Sequence, residues 1–247
     1  MTDESKGTVE VSRSGSVAIV CLKRRQVDNR VTQQMAELGA AAFEAARRDR
    51  TVTGCVLTGE GDLFCTGGDY MSAGGSSAGR LEFATAFNDL AESMFRLGKP
   101  LVAAIRGKAH AGGFSLVTAC DMAVADTDAT LGLPEAAHGL FPFLAMALVK
   151  DSLPKKVLFD MVYRARLLSA DEALALYLVN EVVAADRVLP RAIELAACTS
   201  AFNPEIVSLG RDLYYGTRNL GPAESAQQAR FALAAALKAM EEGAPRP

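Results

Sequence analysis

Two pairs of adjacent glycines, Gly67-Gly68 in FCTGGDY and Gly112-Gly113 in RGKAHAGG, each follow an apolar run that reads as a strand. Glycine tolerates positive φ at little steric cost, so each pair suits a tight turn or a close contact between helix and strand. The same absence of a Cβ leaves backbone N–H groups free to approach a reacting oxygen. These residues alone leave both readings open. Acid–base candidates are few. Glu135 closes LGLPE, where Pro134 marks a helix start and a surface carboxylate is ordinary. His110 lies two residues before Gly112, and His138 follows Glu135 by three, a spacing that puts both on one face of a helix. Isolated histidines are more often structural than catalytic; His110, in the glycine turn, is the better placed. Lys23-Arg24-Arg25, with Arg30 nearby, suits phosphate by charge or is a solvated loop.

The elements that must position these groups follow from periodicity. TVEVS and SVAIVCL flank Ser14-Gly15 and read as a hairpin. From Val31 to about Arg48, apolar residues recur at three and four positions, predicting an amphipathic helix, and TGCVLTG predicts a short buried strand. Residues 69 to 80 are rich in Gly, Ser and Ala, predicting a mobile loop or lid. A helix over about 81 to 97 ends at Lys99-Pro100 before the strand LVAAI. FSLVTAC is helix-like and follows the second glycine pair. Beyond Pro142 the chain turns helical; LLSADEALALYLVNEVV carries a capping box, Ser169 with Glu172. The segment from about Ala223 to Glu242 is alanine-rich and amphipathic, suited to a partner subunit or to covering a core. Alternating strands and helices predict an α/β protein.

With 247 residues, half of them hydrophobic, the chain can bury a large core. A formal charge of −3 gives no global attraction for nucleic acid. No apolar stretch approaches the ~20 residues of a membrane span, and MTDESKGTVEVSR has neither the basic nor the apolar region of a secretory signal, so a cytoplasmic protein without membrane association is expected. The five cysteines are scattered without a CxxC pair, as in reduced thiols.

Five motifs in order, VLTGEGDLFCTGGD, KPLVAAIRGKAHAGG, ACDMAVAD, ATLGLPEAAHGLFP and LLSADEALALYLVNEVV, carry a resemblance over nearly the whole chain. The chain resembles the crotonase superfamily, also called the enoyl-CoA hydratase/isomerase family. That resemblance implies a spiral of repeated ββα units over residues 1–195, then a C-terminal helical region over 196–247 used for trimerisation, often as a dimer of trimers. It implies a coenzyme A thioester as ligand, with coenzyme A part of the substrate, and neither metal nor other cofactor.

What the resemblance implies for the site can be stated residue by residue. A thioester reacts at its α-carbon when two backbone N–H groups hold its carbonyl oxygen as an enolate; removing one such donor typically costs about 2.7–4 kcal/mol. Those donors fall on Gly68 and Gly112, with Gly67 permitting the turn and Gly68 leaving room for the thioester; Asp69, Gly113 and His110 fall beside the substrate. Gly112 also opens a helix whose dipole would favour negative charge. Family hydratases typically use two glutamates. Here Glu135 matches one, and Ser115 stands where the other is expected, either holding a water or making space for a bulkier acyl group. One carboxylate suffices to carry a proton between two carbons, as in double-bond isomerases, because it serves as base and then acid. Lys23 and Arg24 fall where the family approaches the nucleotide part of coenzyme A, although Arg25 replaces a usual proline. FPFLAM, in place of the frequent PGxGG, puts bulky groups at the acyl end, and YLV replaces GLV. The expected function is therefore enoyl-CoA isomerisation or hydration through Glu135. Decarboxylation, carbon–carbon hydrolysis or acyl-CoA binding without catalysis are the alternatives.

Overall fold

The computed structural model describes residues 7–70 and 76–243. The hairpin forms as its sequence predicts: β1 (Thr8–Ser14) pairs antiparallel with β2 (Val17–Lys23), and Gly15 turns at φ 58°. The Thr32 hydroxyl accepts from Met35 N and starts α1 (Gln33–Arg48), which returns the chain to β3 (Gly54–Gly59). α2 (Ser77–Phe95), β4 (Leu101–Ile105), β5 (Lys108–His110) and α3 (Gly112–Thr118) follow. Next come β6 (Met122–Asp126) and β7 (Thr130–Gly132), then a 3-10 turn at Pro134–His138. The remainder comprises α4 (Phe143–Val149), α5 (Lys155–Tyr163), β8 (Leu167–Ser169), α6 (Ala170–Ala175), β9 (Glu181–Val183), α7 (Val188–Ala196), α8 (Pro204–Thr217) and α9 (Pro222–Gly243).

Six strands form one sheet in the order β1-β2-β3-β4-β6-β9, parallel from β2 onward, and β5-β7-β8 form a second. Strand side chains alternate between faces. Cys55, Leu57, Leu101, Ala103 and Ile105 join the main core with α1 and α2, while Val56, Val102, Ala104 and Val124 pack against Val188, Ala192 and Ala196 of α7. The helix can lie that close because residue 54 has no side chain: a Cβ on Gly54 would sit 2.0 Å from the Ala196 carbonyl oxygen. The boundary expected near residue 195 thus falls at the last residues of α7, inside this packing.

Two expectations change. Residues 77–80 belong to α2 rather than to a loop, because the Ser76 hydroxyl accepts from Gly79 N and caps the helix; residues 71–75 of that expected lid lie outside the described residues. The turn between LVAAI and the second glycine pair contains the three-residue strand β5. The capping box at Ser169 and Glu172 is formed in full. α8 is anchored by Arg211, which pairs with Asp121 and donates to the carbonyls of Met94 and Phe95. Beyond it, α9 packs along α8 and leaves Phe231, Leu233, Leu237 and Met240 exposed. Among the described residues, no helix is long and apolar enough to cross a membrane.

Candidate active site

Residues 65–69 run between two other backbones. On one side Thr66 N donates to Asp28 O (3.1 Å), Val31 N to Gly67 O (2.9 Å) and Asp69 N to Val31 O (2.7 Å). On the other, Cys65 N donates to Lys108 O and His110 N to Cys65 O, both at 3.0 Å. Gly67 turns at φ 122°, where a side chain is strained, and a Cβ there would lie 2.9 Å from Ala111 Cβ. Gly68 needs no unusual φ. A Cβ on it would meet Phe83 Cζ at 2.5 Å, so its bareness makes room for a buried phenyl ring of α2. The expectation that Gly68 is bare to admit a thioester on its Cα side is thereby corrected: that space is filled by protein.

Gly112 opens α3. Ahead of it Ala111 takes φ 52° and ψ −126°, held by its N–H on Gly132 O (2.8 Å). A non-glycine residue in such a region stores of order 1–3 kcal/mol, which persists only where surroundings fix it. A Cβ on Gly112 would lie 3.1 Å from Phe87 Cζ and 3.3 Å from Gly68 N. Standard backbone dimensions then put the two amide nitrogens within about 6 Å of each other. Neither N–H donates a hydrogen bond to any described residue. Gly113 differs: it is buried, and a Cβ there would strike the Cys65 carbonyl oxygen at 2.1 Å, so it packs α3 onto residue 65.

Glu135 is tied to the same framework. Parallel pairing of β5 with β7 sets His110 opposite Gly132, and the chain reaches Glu135 three residues later in the 3-10 turn. Its Oε2 is buried and has no partner among the described residues. Burial raises its pKa above the usual glutamate range, opposed in part by a bond from its own backbone N–H. A carboxyl group so placed keeps its proton to higher pH than a solvated one.

Ser115 is fully buried and donates its hydroxyl to Gly112 O at 2.7 Å. The hydroxyl stitches the first turn of α3 together. His110 Nε2 lies 2.9 Å from Thr130 Oγ1, and burial first, then nearby Lys108, depresses its pKa to about 4, which keeps it neutral. His138 is exposed at the end of the 3-10 turn. The basic run is engaged with carboxylates. Lys23 Nζ is 2.6 Å from Glu10 and 3.7 Å from Glu60, and Glu10 holds its ammonium above the usual lysine range. Arg24 is 8% exposed and its Nη1 lies 2.6 Å from Asp69 Oδ2. Among the described residues, no group of three His, Cys, Asp or Glu side chains could hold a metal ion.

Four residues escaped the sequence reading. Phe83 and Phe87, one helical turn apart on α2, fill the space that a Cβ would need on Gly68 and on Gly112 respectively. Their spacing was visible, but not which glycines they would meet. Ala111 gave no signal, because its conformation is one that composition assigns to glycine. Asn29 is fully buried, accepting from Arg24 N and donating to the carbonyls of Glu60 and Leu63, so it knots the loop that carries Val31.

Two unengaged amides beside one another can hold an anionic oxygen, and a shielded carboxyl can pass a proton. Comparison with known proteins gives the family and the fold. A family described as enoyl-CoA hydratase/isomerase matches residues 12–234. The chain is 32% identical to a carnitinyl-CoA dehydratase of Proteus mirabilis over 223 residues, 88% of this chain and 84% of that one. It is 32% identical to enoyl-CoA hydratase EchA19 of Mycobacterium tuberculosis over 209 residues, 82% and 78% of the two chains. Among solved structures, an enoyl-CoA hydratase from Mycobacterium smegmatis superposes with a TM-score of 0.88 at 27% identity, covering 93% of this chain and 90% of that one. Another, from Geobacillus kaustophilus, gives 0.86 at 27% identity and 97% of both chains. The α/β class and crotonase-like fold expected from the five motifs are those of the structure.

Proposed function

Because the chain belongs to the enoyl-CoA hydratase/isomerase family, we propose that it binds an acyl-CoA thioester, holds its carbonyl oxygen at the N–H groups of Gly68 and Gly112, and moves a proton at its α-carbon through Glu135. Coenzyme A enters as part of the substrate. The observation that carries this reading is the combination of two adjacent N–H groups and one shielded carboxylate oxygen that have no partners among the described residues, on segments joined through β5 and its pairing with β7.

With the Ser115 hydroxyl committed to Gly112 O, α3 offers no second acid or base at the position where a hydratase glutamate was expected. A single carboxylate favours double-bond migration: Glu135 takes a proton from C2 of a 3-enoyl thioester, the enolate forms against the two amides, and the proton returns at C4. The hydratase and dehydratase relatives favour a second reading, addition or removal of water with Glu135 as the lone acid–base group. The exposed apolar side chains of α9 support a homotrimer or a dimer of trimers, and five free cysteines support a reducing cytoplasm.

The test is incubation in deuterated water with 2-enoyl, 3-enoyl and 3-hydroxyacyl thioesters, with products read by mass. Migration leaves the product isomeric apart from deuterium, whereas hydration adds the mass of water. Glu135→Gln should lower kcat by about 10²–10⁴-fold and leave KM nearly unchanged. Undiminished turnover in that variant refutes the role of Glu135; thioester binding without turnover in the wild type selects the non-catalytic alternative.

A further inference from the structure

The charge pair next to the amides has a role that substrate binding does not explain. Asp69 directly follows Gly68, so their Cα atoms are about 3.8 Å apart. Both partners are largely withdrawn from water, with side-chain exposures of 9% for Arg24 and 13% for Asp69. Arg24 is held further by Nη1 on Arg30 O (3.3 Å) and by its own N–H on Asn29 Oδ1 (3.0 Å). Asp28 and Asn29, in succession, take φ of 58° and 52°, so the loop from 24 to 31 is a shaped brace against residues 66–69.

We propose that Arg24 and Asp69 are a positioning pair: Arg24 cancels the carboxylate charge beside the developing enolate and ties the Gly68 amide to the 24–31 brace, instead of binding the phosphates of coenzyme A. This inference rests on the thioester reading above. An uncompensated carboxylate one residue from an oxyanion donor opposes negative charge there, and more strongly where water is excluded. A buried guanidinium is costly unless paired, so its place under the site is accounted for by the partner it meets. A phosphate ligand would have to displace Asp69 from a 2.6 Å contact.

The two functions of the pair, charge cancellation and clamping, separate in a double-mutant cycle of Arg24→Met, Asp69→Asn and their combination, with Arg24→Lys as the conservative variant. Acetoacetyl-CoA serves as the probe, because its bound enolate absorbs in the near ultraviolet; kcat, KM and melting temperature are measured alongside. Arg24→Met should reduce both kcat and the bound enolate fraction by about 30-fold with KM changed less than about 3-fold. Adding Asp69→Asn should restore most of that loss, and Arg24→Lys should stay closer to the wild type than Arg24→Met does. A rise in KM with kcat intact would overturn the proposal in favour of phosphate binding. Equal loss in the single and double variants would overturn it in favour of a clamp without electrostatic effect. If Arg24→Met does not fold, the KM-against-kcat split of Arg24→Lys decides. Failure of the thioester reading shows separately, as a wild-type protein with neither an enolate band nor turnover.

Discussion

A methyl group on Gly112 probes the amide pair directly. It would sit 3.1 Å from Phe87 Cζ and 3.3 Å from Gly68 N. The phenyl tip can yield by a few tenths of an ångström, and alanine is a good residue for the first turn of a helix, so the fold should survive with a cost of about 1 kcal/mol. The site should not. An oxyanion must lie 2.7–3.1 Å from each donor, and a methyl group beside Gly68 N occupies the approach to that donor. Losing one donor is worth about 2.7–4 kcal/mol, so Gly112→Ala should lower kcat by about 10²–10³-fold. The neighbouring residue gives the control. A Cβ on Gly113 lies 2.1 Å from the Cys65 carbonyl oxygen and 2.8 Å from its carbon, main-chain atoms that cannot step aside. Gly113→Ala should therefore unfold the protein or abolish its soluble expression. Denaturant melts and steady-state kinetics on both variants make the comparison. A folded Gly112→Ala protein with turnover within about 3-fold of the wild type would refute the reasoning.

Ala111→Gly should raise the denaturant midpoint by relieving the strained φ of 52°, while kcat falls because the Gly112 amide is less firmly aimed; a lower midpoint would contradict the strain argument. Because burial raises the folded pKa of Glu135, its contribution to stability is present below the unfolded value and is lost as pH rises through the folded one. Glu135→Gln should thus be more stable than the wild type at neutral pH, as read by urea melts at pH 4 and 7. His110 has the opposite sign: its folded pKa near 4 lies below the ordinary 6.5, so stability is full above 6.5 and declines as pH falls through that window. His110→Gln should flatten this acid limb and leave no activity limb near pH 6.5 to be lost.

Much of the fold was legible because its signals are local. The hairpin around Gly15, the amphipathic helix α1 and the Ser169–Glu172 capping box depend on residues a few positions apart, and all three formed as read. The start of α2 was misplaced because Gly, Ser and Ala suit a loop by composition, whereas the one serine placed to cap, Ser76, decides where the helix begins. In the site, Gly68, Gly112 and Glu135 were singled out by the family resemblance, which does not report what surrounds a group. Lys23 and Arg24 read as phosphate ligands because their acidic partners lie far off along the chain, Asp69 being 45 residues away. Ser115 read as a water holder or a spacer, and its bond to Gly112 O settles where the hydroxyl points.

The amino-acid order by itself determined the α/β class, the opening hairpin and α1, the family and the two glycine pairs, since each rests on periodicity or on short motifs. Only tertiary structure decided that Phe83 and Phe87 underlie the amides, that Ala111 carries a positive φ, and that Arg24 meets Asp69. Those features arise from contacts between segments brought together by β-pairing and core burial, whose energies no local pattern of residues encodes.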